Sequence, residues 1–487
     1  MALMTQSDYV ASLSRMSKRV FIMGQEVEDL VDHPLVRPSL NACAMTYELA
    51  QQPAHADLML ATSSLTGKTV NRFTHLHQGT ADLVAKVKML RLLGQSTGCC
   101  FQRCVGMDAL NAMDSVTYEM DRAMQTEYHT RFRQYLEQVQ ERDLVMDGAM
   151  TDPKGDRRLK PSRQADPDLF VHIVERKTDG IVVRGAKLHQ TGALNSHEII
   201  VMPTQTLTEQ DRDYAVAFAI PSDTPGVLMI YGRQASDTRK LEGGELDVGN
   251  RQFGGHEAVV VLDDVFVPWE RVFMAGEYAF SGLLVERFAG YHRQSYGGCK
   301  AGVGDVLIGA AESLAQYQGT DGASHVKDKI VEMIHLNETM YACGIACSAE
   351  GRPTASGTYL IDPMLANVCK LNVTRFPYEI ARLAQDIAGG LLVTLPSEKD
   401  LASPEIGPYL KKYLRGVGQY STEDRCRMLR LMENLTIGPG AAAYLTESMH
   451  GAGSPQAQRI MLARLADLEG MMALARRLAG IEDRPRQ

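Results

Sequence analysis

The stretch LFVHIVERKTDGIVVRGAKL, residues 169–188, decides the fold class because its hydrophobic pattern is that of β-strands. Two runs rich in Val and Ile are joined through TDG, which is typical of a hairpin turn. Runs rich in Val, Ile and Tyr continue to about residue 275. The sequence therefore predicts a central β domain over residues 146–277, in which the Asp-, Pro- and Gly-rich stretch 146–169 is a loop.

On both sides of this region, hydrophobic residues recur at helical spacing. Residues 1–145 contain few glycines and amphipathic segments such as TADLVAKVKMLRLLGQ, and they predict an N-terminal helical domain. Residues 278–487 predict a C-terminal helical bundle, because long amphipathic runs are separated by short loops. Long helices are expected at about 325–350, 361–388, 421–436 and 456–480. Helices segregated from a β domain indicate a mixed α and β fold and exclude a doubly wound sheet.

The composition of the 487-residue chain is that of an ordinary globular protein, with 45% hydrophobic and 23% charged residues. The net charge of −8 and the lack of a dense Lys/Arg tract argue against a nucleic-acid partner. No run of about 18 apolar residues occurs, so no membrane span is predicted. The N-terminus does not resemble a secretory signal, so the expected location is cytoplasmic. Nine cysteines are an odd number and a poor disulfide framework.

Several segments resemble known functional motifs but lack a residue that the motif requires. TSSLTGKT (62–69) resembles a phosphate loop but has Thr62 where the leading glycine is required. Two His-Glu pairs lack the second histidine of a zinc-protease helix. No G-x-G-x-x-G follows a strand, so any dinucleotide must be bound in another way.

Two cysteine-containing segments stand out instead. Cys100 and Cys104 are four residues apart, and on a helix their Cβ atoms would lie about 5–6 Å apart. His292 and Cys299 are seven apart, which is two helical turns. Three thiolates and one imidazole could hold an iron–sulfur cubane or a structural zinc ion, and the spacing leaves both open. Cysteines at helical spacing are also common in ordinary cores.

The surroundings of His292 favour chemistry over simple packing. Tyr296 would share its helix face, and Lys300 is expected to lower the pKa of the adjacent thiol. The neighbouring Gly-Gly pair would let backbone and ligand approach closely. Glu257 and Glu447, in glycine-flanked segments, are candidate acid–base groups. Taken singly, such carboxylates are more often solvated surface groups.

Seven segments carry a resemblance that covers essentially the whole chain: CFQRCVGMDALN, MTDPKGDR, HQTGALNSHE, RQFGGHE, ERFAGYHRQSYGGCK, DIAGG and TESMHGAGSPQAQR. These segments closely resemble the 4-hydroxybutyryl-CoA dehydratase family, whose members are also described as vinylacetyl-CoA Δ-isomerases. The wider 4-hydroxyphenylacetate 3-hydroxylase flavoprotein family includes monooxygenases that share the fold but lack these cysteine and histidine residues.

The resemblance implies an acyl-CoA dehydrogenase-like fold, a homotetramer, an acyl-CoA substrate, one FAD and one [4Fe–4S] cluster per subunit. The implied cluster ligands are Cys100, Cys104, His292 and Cys299. The implied flavin contacts lie in two polar loops and at two further positions. They are Met150, Thr151, Asp152, Lys154, Gly155, Asp156, His189, Gln190, Thr191, Asn195, Gly389 and Gly390. Backbone N–H groups in such loops suit a pyrophosphate.

The implied dehydration of 4-hydroxybutyryl-CoA to crotonyl-CoA explains the need for both cofactors. The thioester acidifies the proton at C2, but the hydroxyl leaves from C4 and the C3 proton is not acidified. Removal of one electron by the flavin would acidify that proton, and the cluster would act as a Lewis acid on the C4 oxygen. His292 is expected to ligate iron at rest and to transfer a proton in turnover. Tyr296 and Glu447 are the next proton-transfer candidates, supported by Glu257 and Lys300.

Three alternatives stay open from the sequence. A flavin-dependent aromatic monooxygenase of the same fold would contain no iron. A structural zinc protein would use the thiolates only to hold domains together. Another hydroxyacyl-CoA, or isomerisation of vinylacetyl-CoA alone, would suit the same machinery.

Overall fold

The computed structural model describes residues 3–233 and 238–481, and it confirms a mixed α and β fold. The helices are α1 (Gln6–Ser14), α2 (Arg37–Ala50), α3 (Ala56–Met59), α4 (Thr80–Thr97), α5 (Cys104–Met124), α6 (Tyr128–Glu141), α7 (Ser281–Gln318), α8 (Ser324–Ala349), α9 (Pro363–Val373), α10 (Phe376–Ala388), α11 (Leu391–Thr394), α12 (Glu398–Ala402), α13 (Gly407–Tyr413), α14 (Thr422–Thr436), α15 (Pro439–Ala441), α16 (Glu447–His450), α17 (Pro455–Leu465) and α18 (Leu468–Leu478). Within the described residues, no helix has the length and apolar character needed to cross a bilayer.

The strands are β1 (Arg19–Ile22), β2 (Gln25–Glu26), β3 (Leu60–Thr62), β4 (Thr69–Asn71), β5 (Met146–Ala149), β6 (His172–Arg176), β7 (Gly180–Thr191), β8 (Glu198–Val201), β9 (Val216–Pro221), β10 (Val227–Tyr231), β11 (Glu257–Pro268), β12 (Val272–Ala275), β13 (Arg352–Pro353) and β14 (Tyr359–Leu360). The predicted hairpin is confirmed, because β6 and β7 pair antiparallel with Arg176 opposite Ile181. The larger sheet has the order β2-β1-β10-β11-β7-β6 and the smaller one β12-β9-β8-β5.

Two predictions about the central sheets are wrong in detail. The first 145 residues are not purely helical, because β1 pairs in parallel with β10 and so joins the larger sheet. The stretch 146–169 is not loop throughout, because its first four residues form β5, which pairs in parallel with β8. Both strands are too short for a visible alternation and are defined by distant partners. The domain boundaries after residues 145 and 277 stay a prediction.

Two of the predicted C-terminal helices are each interrupted. The 361–388 segment divides into α9 and α10, because Pro377 lacks a backbone donor and fits only a first helical turn. The 456–480 segment divides where Asp467 caps the start of α18 by accepting a hydrogen bond from the Gly470 amide. The helices at 325–350 and 421–436 are confirmed as α8 and α14.

Helix α7 is the axis of the helical part, and α4, α5, α8, α9, α10 and α14 pack around it. Its glycines explain the close packing. A Cβ atom at Gly298 would overlap the Val87 carbonyl oxygen of α4, and one at Gly297 would lie 2.8 Å from the Gly344 Cα of α8. The Gly-Gly pair therefore admits two neighbouring helices, which corrects the prediction that it makes room for a ligand.

Candidate active site

The four predicted metal ligands are buried and come from three segments. Cys299 and His292 lie on α7, and Cys104 is the first residue of α5. Cys100 lies in the non-helical link before α5, where Gln102 has a φ of 62°. The prediction that Cys100 and Cys104 share a helix face is therefore wrong, because the helix begins only at the second cysteine.

The three thiols nevertheless lie within electrostatic range of one another. Burial raises the pKa of Cys104 well above its ordinary value, and the Cys299 thiol raises it further. The pKa of Cys100 is also raised, first by burial and then by Glu447, with Cys104 and Cys299 contributing. Within residues 3–233 and 238–481, no three His, Cys, Asp or Glu side chains are placed to hold a single metal ion.

The effect of Lys300 on Cys299 is smaller than the sequence suggests. Burial raises the pKa of the Cys299 thiol to about 11, although the Lys300 cation acts in the opposite direction. Burial outweighs the ion because both side chains are almost completely removed from water. The predicted direction of the Lys300 effect is therefore confirmed, but burial outweighs it and the thiol pKa lies above its ordinary value.

His292 is held by a buried carboxylate that the sequence analysis did not single out. Its Nδ1–H donates to Asp108 Oδ2 at 2.8 Å. The same carboxylate accepts from Lys86 Nζ at 2.5 Å and from the Ser295 hydroxyl at 3.0 Å. A carboxylate on one ring nitrogen of a ligating histidine fixes its orientation and tautomer. The arrangement leaves Nε2 of His292 as the nitrogen available to a metal.

The predicted proton-transfer groups are also brought together. The rings of His292 and Tyr296 lie 5.0 Å apart in an edge-on arrangement. Lys300 Nζ donates to Glu447 Oε2 at 3.1 Å and lies 5.2 Å from the Tyr296 ring centroid. The Tyr296 hydroxyl is buried and has no hydrogen-bond partner among the described residues. A buried hydroxyl without a partner is poised to bond a group that enters the site.

Glu257 completes this group. Burial raises its pKa well above the ordinary value, and the Glu447 carboxylate raises it further. The Thr191 hydroxyl lies 2.7 Å from each of its carboxyl oxygens. Because Thr191 belongs to a predicted flavin loop, Glu257 connects that loop with the proton-transfer groups.

The two predicted flavin loops, 150–156 and 189–191, lie side by side. The Leu188 amide donates to the Thr151 carbonyl at 2.8 Å. Lys187 Nζ reaches the Asp152 carboxylate and the Met150 carbonyl, and fixes the start of the first loop. His189 is exposed and has a φ of 55°.

The remaining members of these loops differ in exposure. Gly155 has a φ of 52° and Asp156 pairs with Arg158 at the surface, so both lie at the exposed end of the first loop. Gln190 is buried, and its side-chain amide donates to the Leu188 carbonyl. The first loop thus runs from a buried start to an exposed end, and its role in binding flavin stays a prediction.

Two predicted flavin positions are placed differently. Asn195 is fully buried; its amide donates to Gln102 Oε1 at 2.7 Å and its oxygen accepts from the Ser39 hydroxyl. Its side chain therefore supports the link that carries Cys100. Gly389 and Gly390 end α10 at an exposed turn, and no described hydrogen bond joins them to either flavin loop.

Two family models, described as the N-terminal and the C-terminal parts of 4-hydroxyphenylacetate 3-hydroxylase, match residues 5–274 and 281–480. The chain belongs to the 4-hydroxyphenylacetate 3-hydroxylase family. Within this family it is 61% identical to a 4-hydroxybutyryl-CoA dehydratase/vinylacetyl-CoA-Delta-isomerase from Clostridium aminobutyricum, over 99% of this chain and 100% of the relative.

Two solved structures are similar to this chain over nearly its whole length. An oxygen-tolerant archaeal 4-hydroxybutyryl-CoA dehydratase from N. maritimus is 56% identical, with a TM-score of 0.98, over 100% of this chain and 97% of that one. The oxygenase component of a 4-hydroxyphenylacetate 3-monooxygenase, complexed with FAD and 4-hydroxyphenylacetate, is 24% identical over 98% of each chain. Its TM-score of 0.86 shows the shared fold. The predicted resemblance to the dehydratases is confirmed.

Three buried charged residues of this hydroxylase-family chain were missed by the sequence analysis. Lys86 and Asp108 sit on the buried faces of α4 and α5, and Lys370 is fully buried in α9. Charged residues among apolar positions of an amphipathic helix were the available signal, because full burial of Lys or Asp is rare without a partner.

Proposed function

We propose that this protein dehydrates 4-hydroxybutyryl-CoA to crotonyl-CoA and isomerises vinylacetyl-CoA to crotonyl-CoA, with FAD and a [4Fe–4S] cluster. One observation carries the proposal: three buried thiols and His292 lie beside the proton-transfer groups. These groups are Tyr296, Glu447 and Lys300. The electrostatic neighbours of Tyr296 include Glu447 and all three cysteines, so metal donors and proton-transfer groups share one site. The 61% identity to a dehydratase supports the same reaction.

The donor set fits an iron–sulfur cluster. Cys100, Cys104 and Cys299 supply sulfur, and the free Nε2 of His292 supplies the fourth donor, because Asp108 occupies Nδ1. Four donors spread over three segments suit a group of several atoms. When bound, the cluster supplies a Lewis acid for the C4 oxygen of the substrate. Loading must displace protons from the thiols, since burial raises the pKa of each one.

The paired loops fit FAD. The residues that would hold it are the 150–156 loop and residues 189–191, where Thr151 and Thr191 offer hydroxyl groups and the loop backbone offers amides. The solved oxygenase of the same fold is complexed with FAD. When bound, FAD supplies the one-electron chemistry that acidifies the C3 position.

The chain's own groups provide for the proton movements. The reaction removes one proton from C2 and one from C3; one of them leaves with the C4 hydroxyl as water and the other is returned to C4, so groups that accept protons and groups that return them are both needed. Glu447, held by Lys300 at 3.1 Å, is the candidate acceptor. Tyr296 is the candidate donor, because burial and Glu447 raise its phenol pKa well above the ordinary value and its hydroxyl has no described partner. Glu257, which the Thr191 hydroxyl joins to the flavin loop, supports this exchange.

Self-association is part of the proposal, and helix α18 supports it. No residue of α18 is buried, although Leu468, Met471, Leu474 and Leu478 are large and apolar. An isolated helix of 11 residues is marginal in water, so its apolar face needs a partner. We propose that a second copy of the chain covers it in a homotetramer. Leu474→Glu is expected to shift the sedimentation velocity profile towards smaller species, whereas Ala473→Glu, at an exposed position on the other side of α18, should not.

The test of the function is anaerobic purification followed by iron, sulfide and flavin assays and turnover of 4-hydroxybutyryl-CoA. We expect about four irons, four sulfides and one FAD per chain, as a [4Fe–4S] flavoprotein requires, with crotonyl-CoA as the product. Flavin without iron, together with hydroxylation of a phenol, would instead establish the monooxygenase alternative. A loaded protein that fails to dehydrate 4-hydroxybutyryl-CoA but acts on another hydroxyacyl-CoA would overturn the substrate assignment alone.

A further inference from the structure

Lys370 is a fully buried cation next to the proton-transfer groups. It lies on α9, and its Nζ is 4.8 Å from the centroid of the Tyr296 ring. The Lys300 ammonium is 5.2 Å from the same centroid. Two ammonium groups therefore lie within cation–π range of one phenol ring.

The two lysines also bind the short segment that carries Glu447. Lys370 Nζ donates to the Ser448 carbonyl at 2.5 Å, and Lys300 Nζ donates to the Ala443 carbonyl at 2.8 Å. Residues 442–446 form a π-helical turn immediately before α16, and such turns leave carbonyl groups without their usual helical partners. The lysines thus hold the segment on both sides of Glu447.

The electrostatic setting of Lys370 differs from that of Lys300. No described carboxylate lies within ion-pair distance of Lys370, whereas Lys300 pairs with Glu447. The charged or titratable groups that face Lys370 are Lys300, Arg293 and Tyr296 of α7, Glu447 of α16 and Cys369 of its own helix. Burial lowers the pKa of Lys370 to about 7; Lys300 and Arg293 lower it further, and Glu447 and Cys369 oppose them.

We propose that Lys370 is a positioning residue for proton transfer: it binds the Ser448 carbonyl and the Tyr296 ring, and so holds Glu447 and the Tyr296 hydroxyl towards the same substrate. Burying a lysine without a carboxylate is costly, and a methionine of similar length would fill the space without that cost. The position therefore fits a functional demand better than a packing demand. This role rests on the dehydration chemistry proposed for the site.

The test compares Lys370→Met with the wild type and with a matched control. Lys329→Met removes a lysine from the neighbouring helix α8, where it pairs with Asp386 at 2.6 Å near the surface. The first readout needs no cofactor: hydrogen–deuterium exchange, measured by mass spectrometry on peptides spanning 439–451. We expect several-fold faster amide exchange there in Lys370→Met and no change in Lys329→Met.

The second readout is the pH dependence of turnover, with iron and flavin content measured in each sample. In the wild type the ammonium form of Lys370 is lost as the pH rises through about 7. The neutral amine can still donate to the Ser448 carbonyl but no longer attracts the face of the Tyr296 ring, so kcat should fall through that range. Lys370→Met should lower kcat by about 10²-fold, the size of loss that a misplacement of reacting groups by about 1 Å can cause, and should lack this alkaline fall. KM should change little.

The outcomes separate the two proposals. Unchanged exchange over 439–451 together with an unchanged alkaline fall would overturn the positioning role. A wild type that is loaded but inactive on 4-hydroxybutyryl-CoA would overturn the proposed function, and the exchange comparison would still decide whether Lys370 holds the segment. If Lys370→Met does not fold, Lys370→Gln keeps a donor for the Ser448 carbonyl without the charge. The Lys370→Gln variant should then show no fall in kcat at alkaline pH, while amide exchange in residues 439–451 should stay as slow as in the wild type.

Discussion

The substitution Gly298→Ala tests whether α7 and α4 pack as closely as the site requires. An alanine Cβ would overlap the Val87 carbonyl oxygen and lie 2.9 Å from the Leu90 Cβ, and both of these atoms belong to α4. Backbone atoms cannot rotate away, so the helices must separate. Overpacking of this kind costs about 1–3 kcal/mol, and replacing a helical glycine by alanine returns about 1 kcal/mol. The net result is a destabilisation of up to about 2 kcal/mol.

Gly309→Ala is the matched control on the same helix. No atom lies within 4 Å of the position where its Cβ would be, and the residue is exposed. This change should therefore stabilise the protein by about 1 kcal/mol through helix propensity alone. Thermal unfolding at one scan rate and one chain concentration should show opposite shifts for the two variants.

The candidate active site allows a second measurement on the Gly298→Ala and Gly309→Ala variants. Cys299 follows Gly298 directly, so separation of α4 from α7 should also lower the iron retained per chain in Gly298→Ala but not in Gly309→Ala. Equal upward shifts in the unfolding temperature, with equal iron contents, would refute both the close contact and the packing role of the Gly-Gly pair.

Three further outcomes are expected. Asp108→Asn should weaken iron retention against a chelator by about 10- to 100-fold at unchanged flavin content, because it removes the carboxylate that orients His292; full retention would contradict that support. Gly451→Ala should reduce turnover strongly while the cluster stays bound, because its Cβ would overlap the Tyr296 hydroxyl; wild-type kcat would show that this hydroxyl is not used. Burial raises the pKa of Asp147 to about 7 in the folded protein, whereas its value in the unfolded chain is about 3.9. The unfolded state therefore ionises first, and the free energy of unfolding decreases as the pH rises from about 4 to about 7. Asp147→Asn should therefore raise the free energy of unfolding by about 2 kcal/mol at pH 5.5 and by about 4 kcal/mol at pH 8. An increase in the unfolding temperature that is the same at every pH would contradict the raised pKa of this carboxyl group.

The sequence predicted elements whose signal lies within one segment. The hairpin of β6 and β7 was visible because two runs rich in Val and Ile flank the turn residues TDG, and α8 and α14 were visible from helical spacing. Short strands such as β1 and β5 were missed, since three or four residues carry no period and their partners lie far along the chain. The break between α9 and α10 needed only Pro377, a signal that was present but outweighed by the surrounding apolar pattern.

The candidate site shows the same division. Motifs around Cys100, Cys104, His292 and Cys299 were readable as a resemblance, but their geometry was not. A four-residue spacing indicates a shared helix face only if both residues are helical, and in this chain the helix begins at the second cysteine.

The sequence by itself determined the fold class and the family, because local periodicity and motif identity are properties of short segments. Only the tertiary structure decided that Asp108 and Lys86 support His292, and that Lys370 and Lys300 hold the segment of Glu447. These pairings join helices far apart in the chain, and they depend on which helix faces meet. That choice is made by long-range packing, since hydrophobic burial is non-directional and only the complete set of contacts selects one arrangement.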